Sequence, residues 1–179
     1  MITRMKKALR QFGKKEDGSA IVFEFMIMVP LVFGVFFMAL ELGMYSIRQM
    51  LLDRSVDRTA REIRINTSAN ITHDSIKNMI CENSGGLTNC ASQLRLEMIV
   101  VDPRNFAGLP ERADCIDTAL DPRPVRGFTP GQRHNLMMLR ACYNFSPIFP
   151  TTGLGFAYAK NSDGKAAMST ISAFVQEPS

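Results

Sequence analysis

Residues Asp17 to Gly43 read DGSAIVFEFMIMVPLVFGVFFMALELG, and this stretch decides the architecture of the chain. From Ala20 to Leu42 it is almost wholly apolar. As a helix rising ~1.5 Å per residue it covers ~34 Å, enough to cross a hydrocarbon core of ~30 Å. Two carboxylates, Glu24 and Glu41, lie near its two ends, and Glu41 is expected to sit at the far interface, where it can reach water. Upstream stands a basic run of Arg4, Lys6, Lys7, Arg10, Lys14 and Lys15. The order is therefore a short cationic leader, one membrane span, and ordinary soluble sequence after Gly43. A cleaved secretory signal would have an apolar core of about 7–15 residues followed by a small-x-small cleavage site. The run here is longer, and Met38-Ala39-Leu40-Glu41 offers no such site.

Charge sets the expected orientation. Basic residues next to a span stay on the cytoplasmic side, which puts the leader inside and the C-terminal part outside. Arg48, Arg54, Arg58, Arg61 and Arg64 also follow the span and pull the other way, interspersed with Asp53, Asp57 and Glu62. Four cysteines after the span favour an oxidising compartment there and restore the N-in reading.

Glu24 lies inside the span, where a carboxylate costs ~2.5–3.5 kcal/mol on insertion scales and usually pairs or marks function. One reading has it snorkel to the nearby interface. The other takes it together with Gly18. A prepilin-type peptidase cuts after a glycine that closes a basic leader, so the mature chain would begin at Ser19. The freed amine would meet the Glu24 carboxylate of a neighbouring helix, and neutralisation in a low dielectric would fix the helix register.

Gly18-Ser19, Glu24-Phe25, Pro30 and Glu41-Leu42-Gly43 together resemble the N-terminal pattern of TadE-like pseudopilins. These are small membrane proteins of the tight-adherence (Tad, or Flp) pilus, a relative of type IV pili and type II secretion. Arg48 to Arg54, Ile80-Cys81, Arg140-Ala141-Cys142 and Pro147 to Gly155 (PIFPTTGLG) are similar to alphaproteobacterial members of this group. Such proteins commonly place the glutamate fifth after the processing glycine. Here Glu24 is sixth after Gly18, and Phe23 reads as an inserted residue. The resemblance implies a non-catalytic minor pilin or pseudopilin in the bacterial inner membrane, N-terminus cytoplasmic and C-terminal domain periplasmic. Its implied partners are other pilins and pseudopilins, the inner-membrane assembly platform and a prepilin peptidase. The alternative is a single-pass envelope protein whose outer domain binds a ligand or partner.

Past Gly43 the helical spacing continues. Ile47, Leu51, Leu52, Ser55, Val56, Thr59, Ala60 and Ile63 form one apolar or small stripe. Asp57 with Arg61, and Arg58 with Glu62, are opposite-charge i,i+4 pairs. Asn66 to Asn70 (NTSAN) reads as the exit. The expected organisation is residues 1–18 as leader, 19–65 as one spanning and extended helix, and 66–179 as the outer domain.

That outer domain reads as α+β. Thr72-His73-Asp74 can cap a short helix from about Asp74 to Cys81, and Gly85-Gly86 is a turn. Gln93–Val101, Asn135–Phe145 and Ala166–Val175 are strand candidates for a small antiparallel sheet of about three strands. Between the first two lies a Pro-rich excursion, Asp102 to Asn135, which must be tied down to be ordered. Pro147 to Gly155 is read as a rigid turn between two strands.

Cys81, Cys90, Cys115 and Cys142 allow three disulfide pairings. Cys81–Cys90 would close the helix-to-strand turn, and Cys115–Cys142 would tie the excursion to the second strand. A zinc site would want close pairs such as C-x2-C, and the sequence has none. His73, at a helix start, and His134, between Arg133 and Asn135, are the only histidines, and both have plain structural explanations. No catalytic residue, metal site or cofactor is expected. The net charge of +4 is concentrated in the leader, so no basic surface for nucleic acid is expected either.

Overall fold

The computed structural model describes residues 17–66, 71–105, 113, 115, 128–151 and 153–177, with side chains from Ile21 onward. Residues 1–16 of the leader, residues 67–70 of the helix exit and most of the Pro-rich excursion lie outside the described residues.

Helix α1 runs Asp17–Ile65 without interruption, 49 residues with Pro30 inside it, or about 74 Å at the standard rise. An 18-residue window near its start has a mean hydropathy of 2.4, and none of it is buried by the described residues. The first half therefore presents apolar side chains on all sides, as a membrane anchor does. The second half is one-sided. Leu52, Ser55, Val56, Thr59, Ala60 and Ile63 are buried, whereas Ile47, also placed on the stripe by spacing, is half-exposed.

Helix α2 (His73–Ser84) lies against α1 through Ile76 and Ile80. It is longer than the expected Asp74–Cys81, and its ends explain why. Thr72 caps the start: its hydroxyl accepts from the Ser75 N–H, and the Ser75 hydroxyl accepts from the Thr72 N–H. Gly85, left-handed at φ 60°, closes the other end. A one-turn helix α3 (Cys90–Gln93), not anticipated, leads into the sheet.

The sheet is an antiparallel meander of β1 (Leu94–Val101), β2 (Leu136–Phe145) and β3 (Ala166–Val175) in the order β1-β2-β3. The fold class is therefore the α+β arrangement read from the sequence. Alternation puts Leu94, Leu96, Met98, Met137, Leu139, Ala141, Met168 and Phe174 on the core side with the α1 stripe and α2. The side chain of Gln176, just past β3, donates to the Ile63 carbonyl at 3.0 Å. The Glu177 N–H donates to the Arg64 carbonyl. Together they satisfy acceptors that the end of α1 leaves open.

On the opposite face, Glu97 and Arg140 stand directly across from each other in the β1–β2 register. Their side chains are buried and joined, Arg140 Nε donating to Glu97 Oε2 at 2.6 Å. Cys142 shares this face and is bonded to Cys115, as expected from the sequence. The excursion's end returns at Thr129, whose N–H donates to the Met98 carbonyl beside β1. The second disulfide joins Cys81 of α2 to Cys90 of α3. The Cα atoms are 5.6 Å apart in that pair and 5.4 Å in the first. Of the two helix ion pairs read from spacing, Arg58–Glu62 is present at 3.9 Å, while the Asp57 carboxylate takes a hydrogen bond from Ser172 of β3.

Candidate functional site

The β2–β3 connection is not the simple turn expected from Pro147 to Gly155. Pro147 ends β2, because it has no N–H for the ladder. The chain then crosses to α1 and forms a five-residue helix α4, Gly153–Ala157. Two glycines permit the close approach. Gly153 has φ 49°, and a Cβ there would stand 2.6 Å from Met38. A Cβ on Gly155 would overlap the Phe149 carbonyl. The Phe149 ring lies 4.8 Å from that of Phe37, centre to centre. Phe37 and Met38 both belong to the apolar half of α1.

Glu41 holds this connection. Its carboxylate accepts from the Ile148 N–H (2.9 and 3.2 Å) and from the Phe149 N–H (3.0 Å). It is 1% exposed. This corrects the expectation that Glu41 reaches water. A charged acceptor shared by two backbone donors is a strong arrangement, and it replaces the hydration that burial removes.

One turn further along α1, an aromatic cluster continues the contact. Tyr45 stacks on Tyr158 at 5.6 Å, and Phe145 meets both rings, at 5.8 Å from Tyr45 and 5.7 Å from Tyr158. Arg48 lies over the Phe145 ring and donates to the Ser146 carbonyl at 3.3 Å. Lys160 Nζ donates to the Pro150 carbonyl at 2.6 Å, closing the loop on itself. The Tyr158 hydroxyl is buried with no hydrogen-bond partner among the described residues. Burial, then the Glu41 charge and the Tyr45 phenol, push the Tyr158 phenol above its ordinary value, and Arg48 acts against them. The result is a collar of Glu41, Tyr45, Phe145, Ile148, Phe149 and Tyr158 around the head of the apolar half of α1.

Sequence spacing missed Glu41, and a signal was available. Positions 41, 45, 48, 52, 55, 56, 59 and 63 follow one another at three- and four-residue steps or side by side, so Glu41 begins the same stripe that faces the domain. Glu41-Leu42-Gly43 and Pro147 to Gly155 were also two separate parts of the family resemblance. The structure brings them together.

The other residues singled out from the sequence lie elsewhere. Gly18 and Ser19 are in the first turn of α1. Glu24 is exposed in the single chain, roughly 26 Å along the helix from Glu41. His73 packs edge-on against Phe128, with Nδ1 3.0 Å from Asp74, while His134 is exposed. Neither has a cysteine thiol to work with, because both pairs are disulfides. A polar cleft of about 200 Å³ opens beside the collar, with the cations Arg48 and Lys165 and the hydroxyls of Thr88 and Tyr143 in its wall.

A helix that is apolar all round at one end, and bound at the other to a disulfide-tied sheet, is the shape of an anchored subunit. Comparison with protein families matches residues 18–61 to the TadE-like protein family. Comparison with curated proteins and with solved structures found no match. The match covers the spanning half of α1, the collar residues Glu41 and Tyr45 and most of the domain-facing stripe, so over residues 18–61 the chain is similar to TadE-like proteins.

Proposed function

We propose that this protein is a minor pilin or pseudopilin of a tight-adherence pilus, acting by assembly and not by catalysis. The observation that carries the reading is the union, in one unbroken helix, of the TadE-like match with an apolar half that the described residues of the domain leave uncovered. Such a surface calls for lipid or for the helices of neighbouring subunits. In this reading residues 1–18 are a cytoplasmic leader, 19–65 the anchor and stalk, and 66–179 a periplasmic domain that docks on other subunits. A prepilin peptidase cuts between Gly18 and Ser19. The Glu24 carboxylate then pairs with the new amine of a neighbouring helix before or during incorporation. The assembly platform in the inner membrane and the other pilins are the partners.

The test is N-terminal sequencing of protein from native membranes and from sheared pili. A mature chain starting at Ser19 in the pilus fraction is expected. An intact Met1 in cells with active peptidase, together with absence from sheared pili, would remove the reading. It would favour the second one, an envelope protein whose outer domain binds a ligand, for which the Arg48–Lys165 cleft is one concavity on the described surface.

A further inference from the structure

We propose that residues 147–151 and 153–157 of the β2–β3 connection lie in the membrane interface and insert Ile148 and Phe156 among the lipids at the C-terminal end of the span. The inference rests on the reading of α1 as a membrane anchor.

Depth comes first. If the hydrocarbon core of ~30 Å begins near Ile21, a helix rising ~1.5 Å per residue leaves it close to Glu41. Phe149 touches Phe37, and Gly153 sits against Met38. Both positions are about a turn below that boundary, so the connection descends alongside the span instead of standing clear of it. Its large outward side chains are apolar, Ile148 at 45% and Phe156 at 73% exposure, and Thr151 is the exposed polar residue among those described. Phe156 stands on α4, whose first residue, Gly153, brings the backbone tight against Met38 of the span. The described residues of the domain cover neither side chain, and the surface they extend is the uncovered apolar surface of α1.

Polar bookkeeping agrees. Irregular backbone at membrane depth is tolerated only where its N–H and C=O groups find partners inside the protein. Here Glu41 takes the N–H groups of Ile148 and Phe149, and Lys160 takes the Pro150 carbonyl. This gives the buried carboxylate a role at the span's end that a water-facing loop would not need. Above it stand Tyr45 and Tyr158 with Arg48 and Lys160, the aromatic and cationic side chains that suit the headgroup level. Lipid is the occupant on grounds of this continuity.

The chain contains no tryptophan, so one introduced indole reports one position. The full chain is placed in phosphatidylcholine vesicles whose acyl chains carry bromine either near the headgroup or near the terminal methyl. Three variants are compared: Phe156→Trp, Phe33→Trp in the middle of the span, and Ile171→Trp on the exposed face of β3. Phe156→Trp should emit to the blue of Ile171→Trp and be quenched more by shallow than by deep bromine. Phe33→Trp should show the reverse order. Adding Glu41→Ala to Phe156→Trp should reduce the shallow quenching as the loop lifts away. Ile148→Trp repeats the test at a second site should Phe156→Trp not fold. Quenching of Phe33→Trp without quenching of Phe156→Trp overturns the inference alone. An emission that is blue-shifted yet unquenched would then assign the loop to a protein neighbour. No quenching at Phe33→Trp overturns the membrane reading and the inference with it.

Discussion

Replacing Glu41 should release the β2–β3 connection from α1 and leave the sheet intact. In Glu41→Ala the N–H groups of Ile148 and Phe149 lose their acceptor. Hydrogen bonds to a charged group contribute about 1.5–3 kcal/mol each, so two are worth about 3–6 kcal/mol. Part of this is offset, because the variant no longer keeps a carboxylate away from water. A net loss of about 2–4 kcal/mol in holding the loop follows, which corresponds to a roughly 30- to 1,000-fold drop in protection. Glu41→Gln is the graded control. Oε2 alone receives both N–H groups, at 2.9 and 3.0 Å, and a glutamine carbonyl in that place keeps both bonds. It loses the charge, and its amide would face the Ile148 N–H that now lies 3.2 Å from Oε1. Neutral hydrogen bonds are about half as strong as charge-assisted ones, so Glu41→Gln should fall between wild type and Glu41→Ala. Amide hydrogen exchange of protein in nanodiscs reads this directly. The amides of Ile148 and Phe149 should lose protection while those of Leu139 and Ala141 in β2 keep theirs. Unchanged protection at Ile148 and Phe149 in Glu41→Ala would refute the assignment of Glu41 as their anchor. So would an equal loss across β1, β2 and β3, which would make Glu41 a support of the whole domain.

Tyr158→Phe should hold or gain about 1 kcal/mol in chemical denaturation at neutral pH, because it removes a buried hydroxyl without a partner; a clear destabilisation would point to a bond that this hydroxyl makes. The same variant tests the raised phenol: the folded state keeps a proton that the unfolded chain loses, so wild-type stability is complete below a pH of about 10 and declines above it, and Tyr158→Phe should lessen that decline. Thiol labelling of denatured, unreduced protein should find no free cysteine, and Cys115→Ala should lower the unfolding free energy by about 3.6 kcal/mol on the chain-entropy estimate for its loop. On the proposed pairing of Glu24 with a neighbour's amine, Glu24→Ala should leave membrane levels unchanged or raised, because it removes a costly carboxylate from the span, while co-purification with pilus components falls; normal assembly with impaired insertion would make Glu24 a topological anchor only.

Much of the fold was legible because its signals are local. The span is a matter of length and hydropathy, and α1 beyond it follows the three- and four-residue spacing from Leu51 to Ile63. The strand positions agreed to within a residue, since alternation and flanking turn residues mark them. Helix α2 came out longer than read, because its ends depend on the Thr72–Ser75 cap and on the left-handed Gly85. Helices α3 and α4 carry too few residues to show any period.

The amino-acid sequence by itself determined the anchor, its continuation as a one-sided helix, the α+β order of the domain and the oxidised cysteines. It also carried the TadE-like pattern, which is written in consecutive residues of a single helix. Only the tertiary structure decided the role of Glu41. Whether a carboxylate at the end of an apolar run meets water or protein depends on where a segment more than a hundred positions later comes to lie. Ile148 and Phe149 offer backbone N–H groups, which every residue but proline has, so no residue type in the sequence could announce the contact. The same holds for Glu97 and Arg140, whose pairing exists because the β1–β2 register sets them opposite each other on the face that the Cys115–Cys142 bond ties to the excursion. Local patterns fix elements; burial and hydrogen-bond completion, which need the whole fold in place, fix what the polar residues at its joints do.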